Sequence, residues 1–116
     1  MEPKKYGNLL VYSLEGDLPV TQLLTFKQKV ADAVAKRQAV AFDLEHVRAL
    51  NSNAIGLFIN ACQKLKEVGT NLYIVAPNTD VYEVMTLVSL EDHVPIYQDR
   101  AAFMREVVPQ YQKPGA

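Results

Sequence analysis

Short apolar runs and stretches with helical apolar spacing alternate along the chain. The runs are rich in residues that favour β-structure and predict strands at 8–14, 39–43, 72–76 and 94–97. After each run, apolar residues recur at spacings of three and four, which predicts helices over about 21–36, 53–68, 80–88 and 100–108. The polar lead-in 1–7 is predicted to contain a short edge strand, and Pro95 favours a sheet edge for the last strand.

This order of elements predicts the fold class. Strand–helix repeats with short links produce parallel strands joined by right-handed crossovers. The run 39–42 is apolar throughout, which is typical of a central strand covered on both faces. We therefore predict an α/β protein with a mostly parallel four- to five-stranded sheet and about four helices in β-α repeats. At 116 residues it is expected to be a single domain, 1–116, with a core over about 8–108 and a flexible tail at 109–116.

The helical spacing also predicts which side chains face the core. In the first helix these are Leu23, Phe26, Val30 and Val34, with Leu24 and Ala31 beside them. In the second helix they are Ala54, Ile55, Phe58, Ala61, Cys62 and Leu65. In the third helix they are Val81, Val84, Met85 and Val88, and in the last they are Ala102, Phe103, Met104 and Val107. The lone cysteine is interpreted as a small core residue.

Composition and charge narrow the range of functions. The chain is 49% hydrophobic and 22% charged, as is typical of a globular protein that can bury a core. Its net charge of −1, with both signs spread along the sequence, makes general nucleic-acid binding unexpected. A single cysteine excludes an internal disulfide. Without a long apolar run or a signal-peptide pattern, the protein is expected to be cytoplasmic, with no membrane insertion.

Residues 43–56, between the central strand and the second helix, are the most informative stretch. Asn51, Ser52 and Asn53 are residue types that cap helix N-termini. Ser52 is therefore predicted at the start of the helix with an exposed hydroxyl, at a place where an anion would be tolerated. The simplest alternative is that Ser52 does no more than cap the helix.

Beyond Ser52, one side of the second helix carries only small or polar residues. Asn53, Gly56, Asn60, Gln63 and Glu67 lie on this side, opposite the predicted core face. None of them is bulky, so we predict a low-relief surface that is continuous with Ser52.

Catalysis and metal binding have weaker support. A serine nucleophile needs a base within hydrogen-bond reach and a third group to orient it, and only His46 is near Ser52 in the sequence. No Gly-x-Ser-x-Gly motif surrounds Ser52, and the scattered glycines form no phosphate-binding loop. Asp43, at the predicted strand end, and Glu45 and His46, in the predicted loop, are weak evidence for a metal site. We therefore predict no catalytic residue, no metal and no cofactor.

Two segments carry a resemblance to a known family. Residues 42–58, with Asn-Ser-Asn-Ala-Ile-Gly at 51–56, and residues 64–75 resemble the STAS family, the bacterial anti-sigma factor antagonists and their relatives. In the family pattern a strand ending in Asp-Leu is followed by an apolar pair and by Asp-Ser-Ser-Gly-Leu-Gly opening a helix. Here Asn51 replaces the aspartate, and Asn53-Ala54 replaces Ser-Gly. The later segments 81–90 and 94–97 are also similar to the family, so the resemblance covers about 9–108.

This resemblance implies a STAS-like domain that works by partner switching. In the family, the serine at the position of Ser52 is commonly phosphorylated by a partner kinase. The unphosphorylated protein would bind a serine kinase that is itself an anti-sigma factor, phosphorylation of Ser52 would release it, and a cognate phosphatase would restore the free form. The residues implied at the partner surface are Asn51, Ser52, Asn53, Gly56, Asn60 and Gln63. Such a protein is a phosphoprotein that regulates transcription and is not an enzyme.

A second interpretation stays open. Some members of the family are constitutive interaction subunits of a transporter ATPase complex or a signalling scaffold and are not regulated by phosphorylation. Asn51 and Asn53 favour this interpretation more than a perfect motif would. The early strand, with Tyr6 and Tyr12, could offer an edge for a homodimer, although aromatic residues in a strand usually pack against the core.

Overall fold

Strands and helices alternate along most of the chain. A computed structural model describes residues 2–112. Its strands are β1 (Lys4–Tyr6), β2 (Leu9–Gly16), β3 (Ala39–Val47), β4 (Leu72–Val75) and β5 (Ile96–Tyr97). Its α-helices are α1 (Val20–Lys36), α2 (Ser52–Glu67), α3 (Thr79–Leu87), α4 (Arg100–Glu106) and α5 (Val108–Gln112), and a 3₁₀ turn at Leu90–Asp92 precedes β5.

The strands form one sheet in the order β1-β2-β3-β4-β5. β1 pairs antiparallel with β2, and each later pair is parallel. At the centre, Leu10 lies opposite Val40, and Phe42 lies opposite Ile74. The predicted α/β class with a mostly parallel sheet is confirmed, and so is the short edge strand in the lead-in.

Apolar side chains are buried on both faces of the sheet, as the apolar run of β3 predicts. On one face, the ring of Phe42 lies 5.5 Å from Phe26 of α1 and 5.5 Å from Phe58 of α2. On the other face, Tyr73 of β4 packs against Phe103 of α4 at 6.0 Å. Such aromatic pairs add about 0.5–1.5 kcal/mol each beyond the area that they bury. The chain on either side of the β3–α2 connection is therefore firmly anchored.

The central strand is longer than predicted. The sequence predicts an end at Asp43, but β3 continues to Val47 and pairs with β2 along this extension, where His46 lies opposite Glu15. The register shifts within this pair, which marks an irregularity of the kind that turns a strand end. The predicted loop position of His46 is wrong because the polar residues around it form the exposed side of a strand.

On α3 the predicted core face is too wide. Val81 and Met85 are buried, but Val84 and Val88 are exposed. The helix has only nine residues and meets the core along one narrow i, i+4 stripe, so the neighbouring apolar positions remain on the surface. Within residues 2–112, no helix combines the length and apolar character needed to cross a membrane.

On α1 the predicted face is rotated slightly. Phe26 and Val30 are buried as predicted, whereas Leu24 is 59% exposed and Ala33 is buried in place of Ala31. Position 24 therefore belongs to the surface between α1 and its neighbour α2. Cys62 on α2 is buried, as predicted, and its thiol lies 3.3 Å from the side-chain oxygen of Asn71.

The tyrosines of the early strands occupy different environments. Tyr12 is buried and packs edge-on against Phe26 at 5.9 Å. The ring of Tyr12 is therefore part of the core, and the backbone of Tyr12 pairs with Phe42 of β3, whereas β1 covers only Leu9–Val11 of β2. Tyr6 lies on the edge strand β1 and is half-buried. A homodimer through this edge stays a prediction.

The C-terminal segment continues as helix beyond its predicted end. Pro109 lies in the first turn of α5, where its missing N–H group is tolerated. The Tyr111 hydroxyl lies 2.7 Å from that of Tyr73, and the Tyr111 carbonyl accepts a hydrogen bond from the N–H group of Asn8 at 3.2 Å. Residues 109–112 are thus helical rather than a flexible tail, and the rest of the predicted tail, 113–116, lies outside the described residues.

Candidate functional site

The start of α2 lies at the carboxyl edge of the parallel sheet. β3 ends at Val47, residues 48–50 connect it to Asn51, and α2 begins at Ser52. Because β3 is held between β2 and β4, this connection is fixed at the centre of the sheet edge. The carboxyl edges of parallel strands are where binding sites of α/β folds usually form.

Asn51 fixes this helix start with its side chain. Its amide oxygen accepts a hydrogen bond from the N–H group of Ala54 at 2.8 Å and so caps α2. Its amide nitrogen donates to the carbonyl oxygens of Asp17 and Leu18, at 3.3 Å and 3.2 Å, in the loop before α1. A carboxylate could supply the cap but not the two donated bonds. The amide at position 51 therefore joins two loops, which the family's usual aspartate could not do here.

Ser52 is exposed and is the first residue of α2. The capping bond is made by Asn51, so the interpretation of Ser52 as the cap is wrong. The hydroxyl of Ser52 therefore lies at the N-terminus of α2 without making the capping bond. A negative group added there would meet the favourable end of the helix dipole.

The loop between β2 and α1 is held beside this helix start. The N–H group of Arg48 donates to the carbonyl of Gly16 at 2.8 Å, and the Arg48 guanidinium lies 3.4 Å from the carboxylate of Asp17. Leu18 is fully buried with a left-handed backbone, φ 53°. The buried leucine and the bonds from Asn51 hold the N-terminus of α1 in place next to that of α2.

A groove of about 540 Å³ runs between α1 and α2. Three predicted partner residues, Asn53, Gly56 and Asn60, line its α2 wall. The α1 wall includes Val20 and Leu24, which are 60% and 59% exposed. The low-relief surface predicted from α2 is therefore one wall of a groove, and the sequence analysis missed the other wall because Leu24 fits a core-facing spacing equally well.

The three remaining predicted partner residues, Asn51, Ser52 and Gln63, do not line the groove. Gln63 is exposed on α2 but does not line it. Asn51 is half-buried, and its side chain is engaged in the bonds described above. Ser52 is the first of four residues that follow one another at a spacing of four, which places them on one side of α2. The other three, Gly56, Asn60 and Lys64, line the groove.

The carboxylates of Asp43 and Glu45 share one side of β3, as residues two apart on a strand do. Arg100 of α4 bridges them, with Nη2 2.6 Å from Asp43 Oδ2 and 2.6 Å from Glu45 Oε2. Burial lowers the pKa of the Arg100 guanidinium, but its hydrogen bonds to Asp43 and Glu45 outweigh burial and raise it. The pair is thus occupied by a permanent cation.

His46 is exposed at the end of β3 and is not joined to Ser52 by a hydrogen bond in the described part of the chain. No cluster of three or more His, Cys, Asp or Glu side chains that could hold a metal ion occurs within residues 2–112. Within residues 2–112, Ser52 and His46 are thus not joined into the hydrogen-bonded pair that a serine nucleophile needs.

The fold and this edge define a small α/β domain with an exposed helix start beside a two-helix groove. The model of the STAS domain matches residues 1–102, and the chain belongs to the STAS domain family. A comparison with curated protein sequences found no match.

Several solved structures share the fold. TM1081 of Thermotoga maritima, a candidate anti-sigma factor antagonist, is 23% identical over 93% of this chain and 87% of that one, with a TM-score of 0.76. An anti-sigma factor antagonist from Mycobacterium paratuberculosis is 22% identical over 90% of both chains, with a TM-score of 0.71. SpoIIAA, an anti-sigma factor antagonist of Bacillus, is 18% identical over 84% of this chain and 86% of that one, with a TM-score of 0.67.

Proposed function

We propose that the chain is an anti-sigma factor antagonist that acts by partner switching. Its unphosphorylated form binds a kinase-type anti-sigma factor through Ser52 and the α1–α2 groove, and phosphorylation of Ser52 releases that partner. A cognate phosphatase restores the binding form. The domain is the substrate of this chemistry in the cytoplasm and catalyses nothing itself.

The exposure of Ser52 is the observation that carries the proposal. The hydroxyl stands at the sheet edge on an exposed residue, and Asn51 has taken over the cap. A kinase can therefore reach the hydroxyl without unfolding the helix. The other two serines are also exposed, but Ser13 lies within β2 and Ser89 has a left-handed backbone at a turn, φ 55°, so neither stands at the start of α2.

The electrostatics of the site support release on phosphorylation. A phosphoserine adds about −1.5 to −2 charges and three acceptor oxygens. The N-terminus of α2 stabilises that charge by roughly 0.3–1 kcal/mol, so the fold is retained. A protein bound against Val20, Leu24 and Asn53 would have to desolvate the phosphate. Burying a charge without an opposite charge costs far more free energy than the helix dipole contributes.

Structural neighbours support the same proposal. SpoIIAA has been solved both unphosphorylated and phosphorylated, and the Mycobacterium neighbour is an anti-sigma factor antagonist. The site of this chain has the parts that such a switch requires: a reachable hydroxyl, a rigid helix start and an adjoining contact surface.

Two assays test the proposal. Each kinase-type anti-sigma factor of the source genome is incubated with ATP and the chain, and peptide mass spectrometry locates the phosphate. Ser52→Ala should abolish labelling, and Ser13→Ala, the matched control, should leave it unchanged. Labelling that persists in Ser52→Ala would contradict the proposal.

The second assay is a pull-down with the same kinases. Ser52→Asp should lose binding, whereas Ser52→Asn, which has a similar size and no charge, should retain most of it. Equal binding by both variants would favour the constitutive interaction subunit of a transporter ATPase complex or scaffold, since such a subunit ignores charge at position 52.

A further inference from the structure

The α1–α2 groove differs in character from one end to the other. Because both helices follow neighbouring parallel strands, they run side by side in the same direction. The end near Ser52 has the exposed apolar side chains of Val20 and Leu24. The far end has Lys27 on one wall and Lys64 on the other, and a smaller hollow of about 70 Å³ continues the groove between these two lysines.

The apolar end is shaped to receive side chains from outside. Leu57 on α2 lines the groove together with Val20 and Leu24 on α1, and Gly56 on the α2 wall contributes no side chain. Apart from its own turn of helix, a Cβ atom at Gly56 would meet no atom within 4 Å, so the groove beside it is open. Covering this exposed apolar surface is favourable by about 25 cal/mol for each Å² removed from water.

The lysines define the opposite end. Neither Lys27 nor Lys64 forms an ion pair with a carboxylate within residues 2–112. Lys64 lies twelve residues after Ser52 on α2, about 18 Å along the helix axis. That distance exceeds the screening length of about 8 Å at physiological salt, so Lys64 cannot neutralise a phosphate on Ser52. Their charge is available to an external carboxylate.

Backbone chemistry favours a helix as the occupant. The walls of the groove are α-helices, whose N–H and C=O groups are already paired within each helix. A strand laid between them would find no backbone partners, whereas a helix needs none. The lining residues recur at spacings of three and four on both walls, which is the ridge pattern that a third helix packs against.

We infer that the groove receives an acidic amphipathic helix of the partner, in a fixed direction. Its apolar stripe packs on Val20, Leu24 and Leu57, and a carboxylate at one end of the stripe pairs with Lys27 and Lys64. This inference rests on the proposed function for the location of the partner surface and adds the chemistry and orientation of the bound element.

Two synthetic helical peptides test the inference directly. Both are stapled, share one leucine stripe at i, i+3, i+4 and i+7, and carry either two glutamates or two lysines beyond its end. Binding to the full chain is followed by the amide NMR shifts of groove residues. The glutamate peptide should shift Leu24, Gly56 and Lys64 and should bind about three- to tenfold more tightly, a preference that shrinks at high salt.

Charge-reversal variants isolate the lysines. Lys27→Glu combined with Lys64→Glu should reverse the preference between the peptides. Lys36→Glu combined with Lys66→Glu, the same charge change at exposed positions of the same helices outside the groove, should leave it unchanged. Equal binding of both peptides would overturn the inference, and so would a preference that does not follow Lys27 and Lys64. Dodecyl phosphate serves as a lipid-like anionic probe, and a response to it with none to either peptide would also overturn the inference.

The outcomes separate this inference from the proposed switch. If the glutamate peptide occupies the groove while Ser52 is never phosphorylated, the switch fails and the groove assignment stands. If Ser52 is phosphorylated and controls binding while the peptides show no preference, the groove assignment fails and the switch stands.

Discussion

The side-chain amide of Asn51 donates a hydrogen bond to the main-chain carbonyl of Leu18 at 3.2 Å. One residue thereby both caps α2 and holds the loop that leads into α1. The two walls of the groove start from this shared point, so the spacing between the helices depends on an amide at position 51. An aspartate could be tolerated only at the expense of that link.

Substitution of Asn51 should therefore be costly even when the cap is retained. Asn51→Asp keeps an acceptor for Ala54 but places a carboxylate beside two carbonyl oxygens, and we expect a loss of about 1–2 kcal/mol in the free energy of unfolding. Asn53→Asp adds the same charge two residues later at an exposed position and should be neutral or slightly stabilising. Urea denaturation compares them, and equal values for the two variants would contradict the bridging role.

Gly56→Ala should separate stability from binding. The glycine lies in the interior of α2 with open space beside it, so alanine should stabilise the fold by about 0.5–1 kcal/mol. The added methyl group enters the groove and should weaken partner binding, and Gly56→Leu should weaken it further. Denaturation and a kinase pull-down measure the two effects, and unchanged binding by Gly56→Leu would place the partner elsewhere.

Gly7→Ala should destabilise the protein more than Gly16→Ala. Both glycines have a left-handed backbone, φ 62° and 71°, so both substitutions carry strain of roughly 1–2 kcal/mol. Only at Gly7 would the new Cβ overlap the carbonyl of Tyr111, whereas Gly16 has open space around it. Hydrogen exchange should show early opening of α5 in Gly7→Ala alone, and equal effects of the two substitutions would argue against this contact.

Arg100→Ala should lower the free energy of unfolding by about 1–3 kcal/mol, because it leaves the Asp43 carboxylate, only 16% exposed, without its cation. Arg48→Ala is the matched control, since its partner Asp17 is 66% exposed and the pair is worth at most about 1 kcal/mol. Combining Arg100→Ala with Asp43→Asn should recover part of the loss. Thermal denaturation of these variants measures the coupling free energy between Arg100 and Asp43. Losses of stability that simply add would show that these two side chains do not interact.

Stability should fall at alkaline pH through Tyr73. Burial, and then the hydrogen bond with Tyr111, raise the pKa of the Tyr73 hydroxyl above its ordinary value of 10.0. The unfolded chain therefore releases this proton at a lower pH than the folded chain does, so the stabilisation is complete below about pH 10 and is lost as pH rises above it. Tyr73→Phe should be slightly less stable at pH 7 and should show a shallower alkaline decline.

Urea midpoints measured between pH 7 and pH 11 test this linkage. Tyr82→Phe, on α3 and outside the tyrosine pair, is the control and should keep the decline of the unmodified chain. A decline in Tyr73→Phe as steep as in the unmodified chain would assign the alkaline effect to other groups.

Local periodicity predicted the elements well because each strand and helix of this chain buries a face that matches its own repeat. The buried series Phe58, Ala61, Cys62 and Leu65 on α2 is an example, and the exposed small or polar residues opposite it follow from the same wheel. The start of α2 was predicted within one residue, because Asn, Ser and Asn in succession mark a helix N-terminus.

Features that depend on distant segments could not be predicted in the same way. Either Asn51 or Ser52 could make the cap as judged from the sequence. The choice depends on whether a carbonyl such as that of Leu18 lies near enough to accept a hydrogen bond from the side-chain amide of Asn51. Leu24 has a spacing that suits either the core or the groove, and only the position of α2 decides between them. The extension of β3 past Asp43 requires β2 to continue alongside it and Arg100 to neutralise its carboxylates.

The two margins of the sheet are its shortest strands. β1 has three residues, two of them exposed lysines, and β5 has two residues. Both edge strands are short, and β1 carries two exposed lysines. These features disfavour edge-to-edge pairing of the sheet with a strand of another molecule. An association built on a continuous ladder of main-chain bonds would hold regardless of any one side chain. Contact made through helix surfaces, by contrast, can be undone by a change at a single position, and this architecture therefore favours reversible encounters over permanent ones.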